Sequence, residues 1–169
     1  QAVTTGKNRQ DGGGIAWTPD GRIVYDAIDV GGLGVWIIGA NGGGAQKLFQ
    51  IPTAGPEVSP DGRFLTYIAL QNGVHVWKAN LDGTNPIQLT KGIDEGDSHW
   101  SGDGRWIVYA GGVESQLYKV LAAGGEPTLV TPVKGVNSII VSPDGTRVAF
   151  RAWDATAEKT RIYVISFED

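Results

Sequence analysis

The sequence predicts an all-β protein built from four similar antiparallel sheets, and three observations predict it: a repeated phrase, its spacing and the glycine content. The phrase reads Trp-Thr-Pro-Asp-Gly at 17–21, Val-Ser-Pro-Asp-Gly at 58–62, Trp-Ser-Gly-Asp-Gly at 100–104 and Val-Ser-Pro-Asp-Gly at 141–145. Its aspartates are 41, 42 and 41 residues apart, and about 40 to 45 residues is the length of one β-propeller blade. Glycine supplies 26 of 169 residues, about twice its usual share of roughly 7%. We therefore predict a β-propeller of four four-stranded antiparallel blades.

The phrase itself predicts the turn between the innermost strand of each blade and the next strand outward. Proline presets φ for the second turn position, aspartate bonds forward to backbone amides, and glycine accepts positive φ. We interpret the recurring pairs as structural turn residues: Asp20 and Gly21, Asp61 and Gly62, Asp103 and Gly104, Asp144 and Gly145. Gly102 replaces the proline in the third phrase, so that turn is expected to be looser.

After each turn, two large residues stand two positions apart, which places them on one face of a strand. We expect these pairs to fill the space between blades. The pairs are Ile23 and Tyr25, Leu65 and Tyr67, Ile107 and Tyr109, and Val148 and Phe150.

A third strand follows in every unit with an aromatic residue at a constant place, which indicates one repeated packing role. The segments are 35–38, 76–79, 117–120 and 162–165. Short outer strands are expected around Leu48, Leu89 and Val130.

The ends of the sequence predict how the last blade is completed. The chain stops within the third strand of unit four, while residues 2–6 match residues 88–92, which form an outer strand. An N-terminal strand that completes the last blade would remove a sheet edge. We expect one domain over 1–169, with blades at about 7–50, 51–91, 92–132 and 133–169 plus 1–6. The absence of methionine, including at position 1, suggests a mature or excised segment.

Composition excludes several classes of protein. A formal net charge of −4 argues against nucleic acid or an anionic membrane surface as the partner. No run approaches the roughly 18 apolar residues of a membrane span, so we expect no membrane insertion. The chain has no cysteine, which excludes disulfides, thiolate metal sites and cysteine nucleophiles.

The repeats resemble the WD-like "PD" propeller repeats of the TolB family. The resemblance rests on Val-Ser-Pro-Asp-Gly-Arg at 58–63 and its counterparts, and on the segment 76–90, and it covers nearly the whole chain. It implies a non-catalytic scaffold that binds protein or peptide partners through the ring face and central channel. It also implies a periplasmic or otherwise extracytoplasmic location. Related blades occur in tricorn-type and oligopeptidase propellers, so the alternative is an accessory domain that gates substrate entry to a serine peptidase or other larger enzyme.

The number of blades departs from the family, whose propellers usually have six. Three arrangements are compatible with four units: two chains joined head to tail into an eight-bladed ring, one closed four-bladed ring, or half of a longer propeller. The offset ends and the apolar faces favour the pair, so we expect a homodimer that completes a larger ring.

Candidate binding residues cluster before the third phrase. Asp94, Glu95, Asp97 and His99 lie on or just before an innermost strand, where they could meet a channel-bound cation such as calcium or a basic peptide. The spacing lacks the alternation of a calcium loop, so we expect no cofactor and favour a solvated acidic loop. Trp153 breaks the repeat within an expanded charged loop at 152–160, and it is a candidate for partner contact.

No catalytic arrangement is evident. The sequence lacks a Gly-x-Ser-x-Gly elbow, and His75, which lies in a strand, is interpreted as a partly exposed structural histidine. We therefore predict that this segment is not an enzyme by itself.

Overall fold

The computed structural model describes residues 3–4 and 13–167, which form fifteen β-strands and no helix. All pairing is antiparallel, and strands pair with their neighbours in chain order. The first sheet contains β1 (Ile15–Trp17), β2 (Arg22–Asp29), β3 (Gly32–Gly39) and β4 (Gln46–Lys47). The second contains β5 (Thr53–Val58), β6 (Phe64–Ala69), β7 (His75–Asn80) and β8 (Ile87–Gln88). The third contains β9 (Gly96–Trp100), β10 (Trp106–Gly111), β11 (Gln116–Leu121) and β12 (Thr128–Thr131). The fourth contains β13 (Val136–Val141), β14 (Arg147–Asp154) and β15 (Lys159–Ser166).

The predicted all-β propeller architecture is confirmed, with sheets that succeed one another as blades. The first strands of successive sheets, β1, β5, β9 and β13, contact one another in sequence. They are therefore the inner strands around a common axis, and the later strands of each sheet lie progressively outward. No helix in the described residues could span a membrane.

The repeated phrase forms the turn between the two innermost strands of each sheet. In the second sheet, Gly62 N donates to Ser59 O at 2.8 Å, and the Asp61 carboxylate accepts from the Ser59 hydroxyl at 2.7 Å and from Arg63 N at 3.1 Å. These hydrogen bonds, that of Ser59 first, lower the pKa of Asp61 to about 2. Gly62 has φ of +70°, a conformation that favours glycine.

The third turn is not looser, contrary to the prediction from Gly102. Gly104 N donates to Ser101 O at 2.9 Å, the same bond as in the other turns. The reason for glycine at 102 lies in the neighbouring blade. A Cβ added to Gly102 would approach Gly145 Cα to 2.7 Å, closer than real contacts allow, so the adjacent turn excludes a side chain here.

Similar contacts join the turns of every pair of neighbouring sheets. The second residue of one turn lies against the glycine that closes the turn of the following sheet: Pro19 against Gly62, Pro60 against Gly104, and Gly102 against Gly145.

Three apolar clusters fill the spaces between sheets, as the paired large residues predicted. Leu65 and Tyr67 of the second sheet pack with Val24 and Val35 of the first. Equivalent clusters lie between the second and third sheets and between the third and fourth. The second and third sheets thus each bury one face against the preceding sheet and the other against the following sheet, as radially stacked blades require.

Within the described residues, the two ends of the stack are not packed together. Strands of the fourth sheet make no packing with the first sheet comparable to that between successive sheets, within the described residues. Among the described residues, the fourth sheet has three strands, whereas each of the other sheets has four. The predicted closing strand at 1–6 lies largely outside the described residues, and its described member Val3 packs against Tyr25, Ala27 and Ile38 of the first sheet.

Candidate binding site on the inner strands

A cavity of about 570 Å³ opens among the inner strands of the first three sheets. It is bordered by segments 13–16, 54–57 and 97–99, together with Asp26 and Ile68. Its ionisable members are three carboxylates, Asp26, Glu57 and Asp97, and one histidine, His99. The formal charge of this lining is therefore negative whether or not the histidine is protonated.

His99 lies between two of these carboxylates. Its Nδ1 is 3.0 Å from Glu57 Oε1, and its Nε2 is 3.5 Å from Asp97 Oδ1. Both ring nitrogens of a charged histidine are donors, so this placement favours the protonated ring. Burial alone would lower the pKa of His99, but its bonds to Asp97 and Glu57 outweigh burial and raise it to about 9.

The pKa of Asp97 moves in the complementary direction. Burial would raise it, but hydrogen bonds from His99 and from the Ile139 amide lower it. The arrangement is thus a carboxylate–imidazolium–carboxylate chain that joins the second and third sheets at neutral pH.

Carboxylates of this site also bridge successive sheets through backbone amides. Asp26 of the first sheet accepts from Gly55 N of the second at 2.8 Å. Glu57 of the second accepts from Trp100 N of the third at 3.0 Å. Asp97 of the third accepts from Ile139 N of the fourth at 2.6 Å. Each joint between described sheets therefore contains at least one charge-assisted hydrogen bond, which is stronger than a hydrogen bond between neutral groups.

The structure brings together two of the four clustered acidic and histidine candidates. Asp97 and His99 border the cavity, whereas Asp94 is exposed in the preceding loop. The positive φ of Asp97, +50°, coincides with an irregularity in the pairing of β9 with β10. This bulge places Asp97 within reach of both His99 and the fourth sheet.

Glu95 belongs to a different environment. It is buried, and its Oε2 lies 2.9 Å from His75 Nδ1, between the second and third sheets. His75 is therefore a structural member of an inter-sheet pair, and it is partly exposed, as the sequence predicted, with 14% of its side chain accessible. Burial, followed by the charge of Glu95, raises the pKa of the neighbouring Tyr109.

Trp153 lies in β14 and not in a loop. It pairs with Thr160 of β15, and the connection is a short turn at 155–158. Its indole is about half exposed on the outer face of the fourth sheet, away from the third sheet. Trp153 and the inner cavity are thus separate surfaces.

Sequence reasoning missed Glu57 and Asp26. Glu57 directly precedes the second phrase just as His99 precedes the third. Aligning the units would therefore have placed both residues at one repeat position on adjacent inner strands. Asp26 has no equivalent carboxylate in the other units, so only the fold reveals its role.

The site gives no support to the cation hypothesis. Within residues 3–4 and 13–167, no group of three acidic or histidine side chains is placed to hold a metal ion. Oxygens of Glu57 and Asp97 instead accept hydrogen bonds from amides and from His99. Both histidines bind carboxylates, and no described serine hydroxyl bonds to either ring.

A larger cavity, of about 690 Å³, lies at the turn end between the second and third sheets. Its charged groups are engaged locally: Arg63 binds Asp61 of its own turn, and Lys78 donates to the Ala122 carbonyl. We therefore regard the inner cavity, where unlike charges from three sheets converge, as the candidate site.

Comparisons with known proteins establish the fold. No family profile and no curated protein matches the sequence. Among solved structures, a candidate TolB from Agrobacterium tumefaciens superposes with a TM-score of 0.85 at 21% identity, over 97% of this chain and 64% of that one. TolB from Acinetobacter baumannii superposes with a TM-score of 0.78 at 20% identity, over 90% of this chain and 40% of that one. The tricorn protease superposes with a TM-score of 0.62 at 14% identity, over 90% of this chain and 17% of that one. The chain thus has the propeller fold of TolB proteins and spans less than two thirds of each of them.

Proposed function

We propose that this propeller is a non-catalytic scaffold that binds a protein or peptide partner on its inner strands, in an extracytoplasmic compartment, as a homodimer. The observation that carries the binding proposal is the cavity of about 570 Å³ bordered by Asp26, Glu57, Asp97 and His99. A concave site with a few convergent polar groups is the usual form of a binding site. The TolB-like fold supports the scaffold role and the location by resemblance.

The charge of the cavity indicates the partner's chemistry. Three carboxylates face one histidine, so an extended segment carrying lysine or arginine would be attracted and an acidic one repelled. Attraction of this kind weakens as salt increases.

A random peptide library displayed on phage tests the proposal directly. We expect selection on the purified chain to enrich basic peptides, and their affinity to fall with added salt. Ala16 borders the cavity, so Ala16→Arg should weaken binding of the selected peptides at least tenfold. Ala157→Arg, in the exposed turn beyond β14, adds the same side chain elsewhere and should leave binding unchanged.

Two outcomes would refute binding at this cavity. One is a selection without enrichment. The other is a set of peptides that bind the Ala16→Arg and Ala157→Arg variants equally well.

The likeness to the tricorn protease favours a second candidate function, an accessory domain that admits substrates to a peptidase. The two functions differ in what the parent gene encodes. A catalytic α/β-hydrolase region in the same reading frame would favour the accessory domain, and its absence would favour the independent scaffold.

A further inference from the structure

The cavity at the turn end lies in the joint between the second and third sheets. Its volume of about 690 Å³ is typical of pockets that hold small molecules. Both of its walls belong to sheets that have a described sheet on either side, so the structure contains the whole joint. The cavity shares no lining residue with the inner cavity. It is therefore a separate site that the proposed function does not use.

Two repeat positions determine how this end of each joint is filled. The first lies on the third strand of the preceding sheet. Its occupants in the first three sheets are Ile37, Lys78 and Lys119. The second position follows the third strand of the next sheet, where the backbone amide donates to the residue after the turn glycine. Its occupants in the second to fourth sheets are Leu81, Ala122 and Phe167.

The second joint has the smallest side chain at the second of these positions. In the first joint, Ile37 and Leu81 belong to one apolar cluster. In the third joint, the Lys119 amino group lies 5.1 Å from the centroid of the Phe167 ring. The corresponding residue in the second joint is Ala122, whose side chain is a single methyl group. The sequence therefore leaves space here that larger side chains occupy in the neighbouring joints.

Lys78 places an ammonium group in this space. Its Nζ donates to the Ala122 carbonyl and lies 5.0 Å from the centroid of the Phe64 ring. Burial lowers the pKa of Lys78. Among the described residues, no carboxylate forms a salt bridge with this lysine. An ammonium has three donors, and a partly desolvated charge is stabilised when an ion of opposite sign binds it.

The other charged groups of the lining belong to the two turns. Arg63 and Arg105 face the aspartates of their own turns, at 2.7 Å from Asp61 and 4.0 Å from Asp103. Together with Lys78, the lining has three cations and two carboxylates. Its formal charge is therefore positive, whereas that of the inner cavity is negative. An anion would be attracted to this cavity and repelled by the other.

Much of the remaining lining is apolar. Its large members are Phe64, Trp100 and Leu121, and Ala122 and Ala123 complete it. Leu121 is 38% exposed although it borders a joint. A ligand with an apolar body would remove this surface from water, which is favourable.

We propose that this cavity binds a small molecule that has a carboxylate group and an apolar body. The carboxylate pairs with Lys78, and the body lies against Phe64 and Leu121. An ammonium and a carboxylate form charge-assisted hydrogen bonds, which are stronger than bonds between neutral groups. A small molecule is the occupant because the cavity is confined to one joint, whereas an extended peptide binds along a groove or a sheet edge.

Isothermal titration with naphthoate tests the charge of the site, and its uncharged analogue naphthamide is the ligand control. We expect the purified chain to bind naphthoate saturably and at least tenfold more tightly than naphthamide. Lys78→Met should weaken the binding of naphthoate at least tenfold, because it removes the ammonium and keeps an unbranched side chain. Lys119→Met makes the same change at the equivalent position of the next sheet and should leave binding unchanged.

Ala122→Leu tests the space separately from the charge. It introduces the side chain that the second sheet has at this position, Leu81, and should weaken the binding of naphthoate at least tenfold. The midpoint of thermal unfolding should not fall, because the added side chain fills a cavity. Ala157→Leu, in the exposed turn after β14, adds the same atoms elsewhere and should not affect binding.

Four results would overturn this site. They are a wild-type chain that does not bind naphthoate, equal affinity for naphthamide, undiminished binding by Lys78→Met, and undiminished binding by Ala122→Leu.

Discussion

The joints inside the stack and the two faces at its ends are built from the same repeat positions, yet they have opposite exposure. Leu117 and Ile162 differ by one methyl position and stand at equivalent points of β11 and β15. The first is fully buried and the second is largely exposed. What differs is the neighbouring blade, not the strand. In this fold a repeat position is buried only where a neighbouring blade covers it, as expected for repeat architectures in which each unit contacts only its neighbours.

The largest expected effect is the difference in stability between variants that shorten Leu117 and Ile162, which occupy the same repeat position, to alanine. Leu117→Ala is expected to lower the free energy of unfolding by about 2–5 kcal/mol, because it leaves a cavity in a packed joint. Ile162→Ala should change it by less than about 0.5 kcal/mol when the protein is dilute enough to be a single chain. Urea denaturation of the three proteins measures both values. Equal losses would mean that the two positions have the same environment.

Glu57 tests the polar part of an interior joint. Glu57→Gln replaces the acceptor that binds both His99 and the Trp100 amide, and we expect a loss of about 1–3 kcal/mol. Asp94→Asn makes the same chemical change in an exposed loop and should cost less than about 0.5 kcal/mol. Chemical denaturation at pH 7 compares them. A neutral Glu57→Gln would show that the bridge does not stabilise the joint.

Gly102 tests the contact between turns. Gly102→Ala is expected to lower stability by about 1–3 kcal/mol, since the added Cβ meets the backbone of the adjacent turn. Gly96→Ala adds a methyl group where nothing lies within 4 Å and serves as the control. Thermal unfolding should show a lower midpoint for the first variant alone. A more stable Gly102→Pro variant would contradict the steric explanation, although proline occupies this position in the other turns.

The smallest expected effect concerns pH. The pKa of His99 is raised from 6.5 to about 9 in the folded protein. Its contribution is therefore complete below pH 6.5 and is lost as the pH rises through about 9. About a quarter of its side chain is exposed, so we expect the loss to be about 1–2 kcal/mol. Urea denaturation at pH 6 to 9 should show this slope in the wild type and a weaker one in His99→Gln. Parallel profiles would refute the charged pair.

The repeat predicted the architecture because it specifies local structure and neighbour contacts together. The Asp-Gly turns fix the hairpins, and the pairs such as Leu65 and Tyr67 fix which face meets the preceding blade. These features depend on residues close in sequence or repeated at one period, so a single chain reveals them.

The site was only partly predictable, because its geometry depends on irregularities. The bulge at Asp97 separates that residue from Glu95, two positions away, and sends the two carboxylates to different joints. The sequence predicts a loop at Trp153 because the fourth unit has more residues between its second and third strands than the other units have. Nothing in the composition of this hairpin shows whether its additional residues lengthen the strands or the loop.

The carboxylate bridges differ from one pair of sheets to the next, although the blades share one sequence repeat. Asp26 projects from a second strand, Glu57 from the residue before a phrase and Asp97 from a bulge, so no two bridges use the same repeat position. Transplanting one blade into another slot would keep the apolar surfaces compatible and leave these acceptors facing the wrong amides. The carboxylates and amides where two sheets meet therefore fit each other only in the natural order of the units. Variants of the chain with shuffled units should have a lower free energy of unfolding than the natural chain.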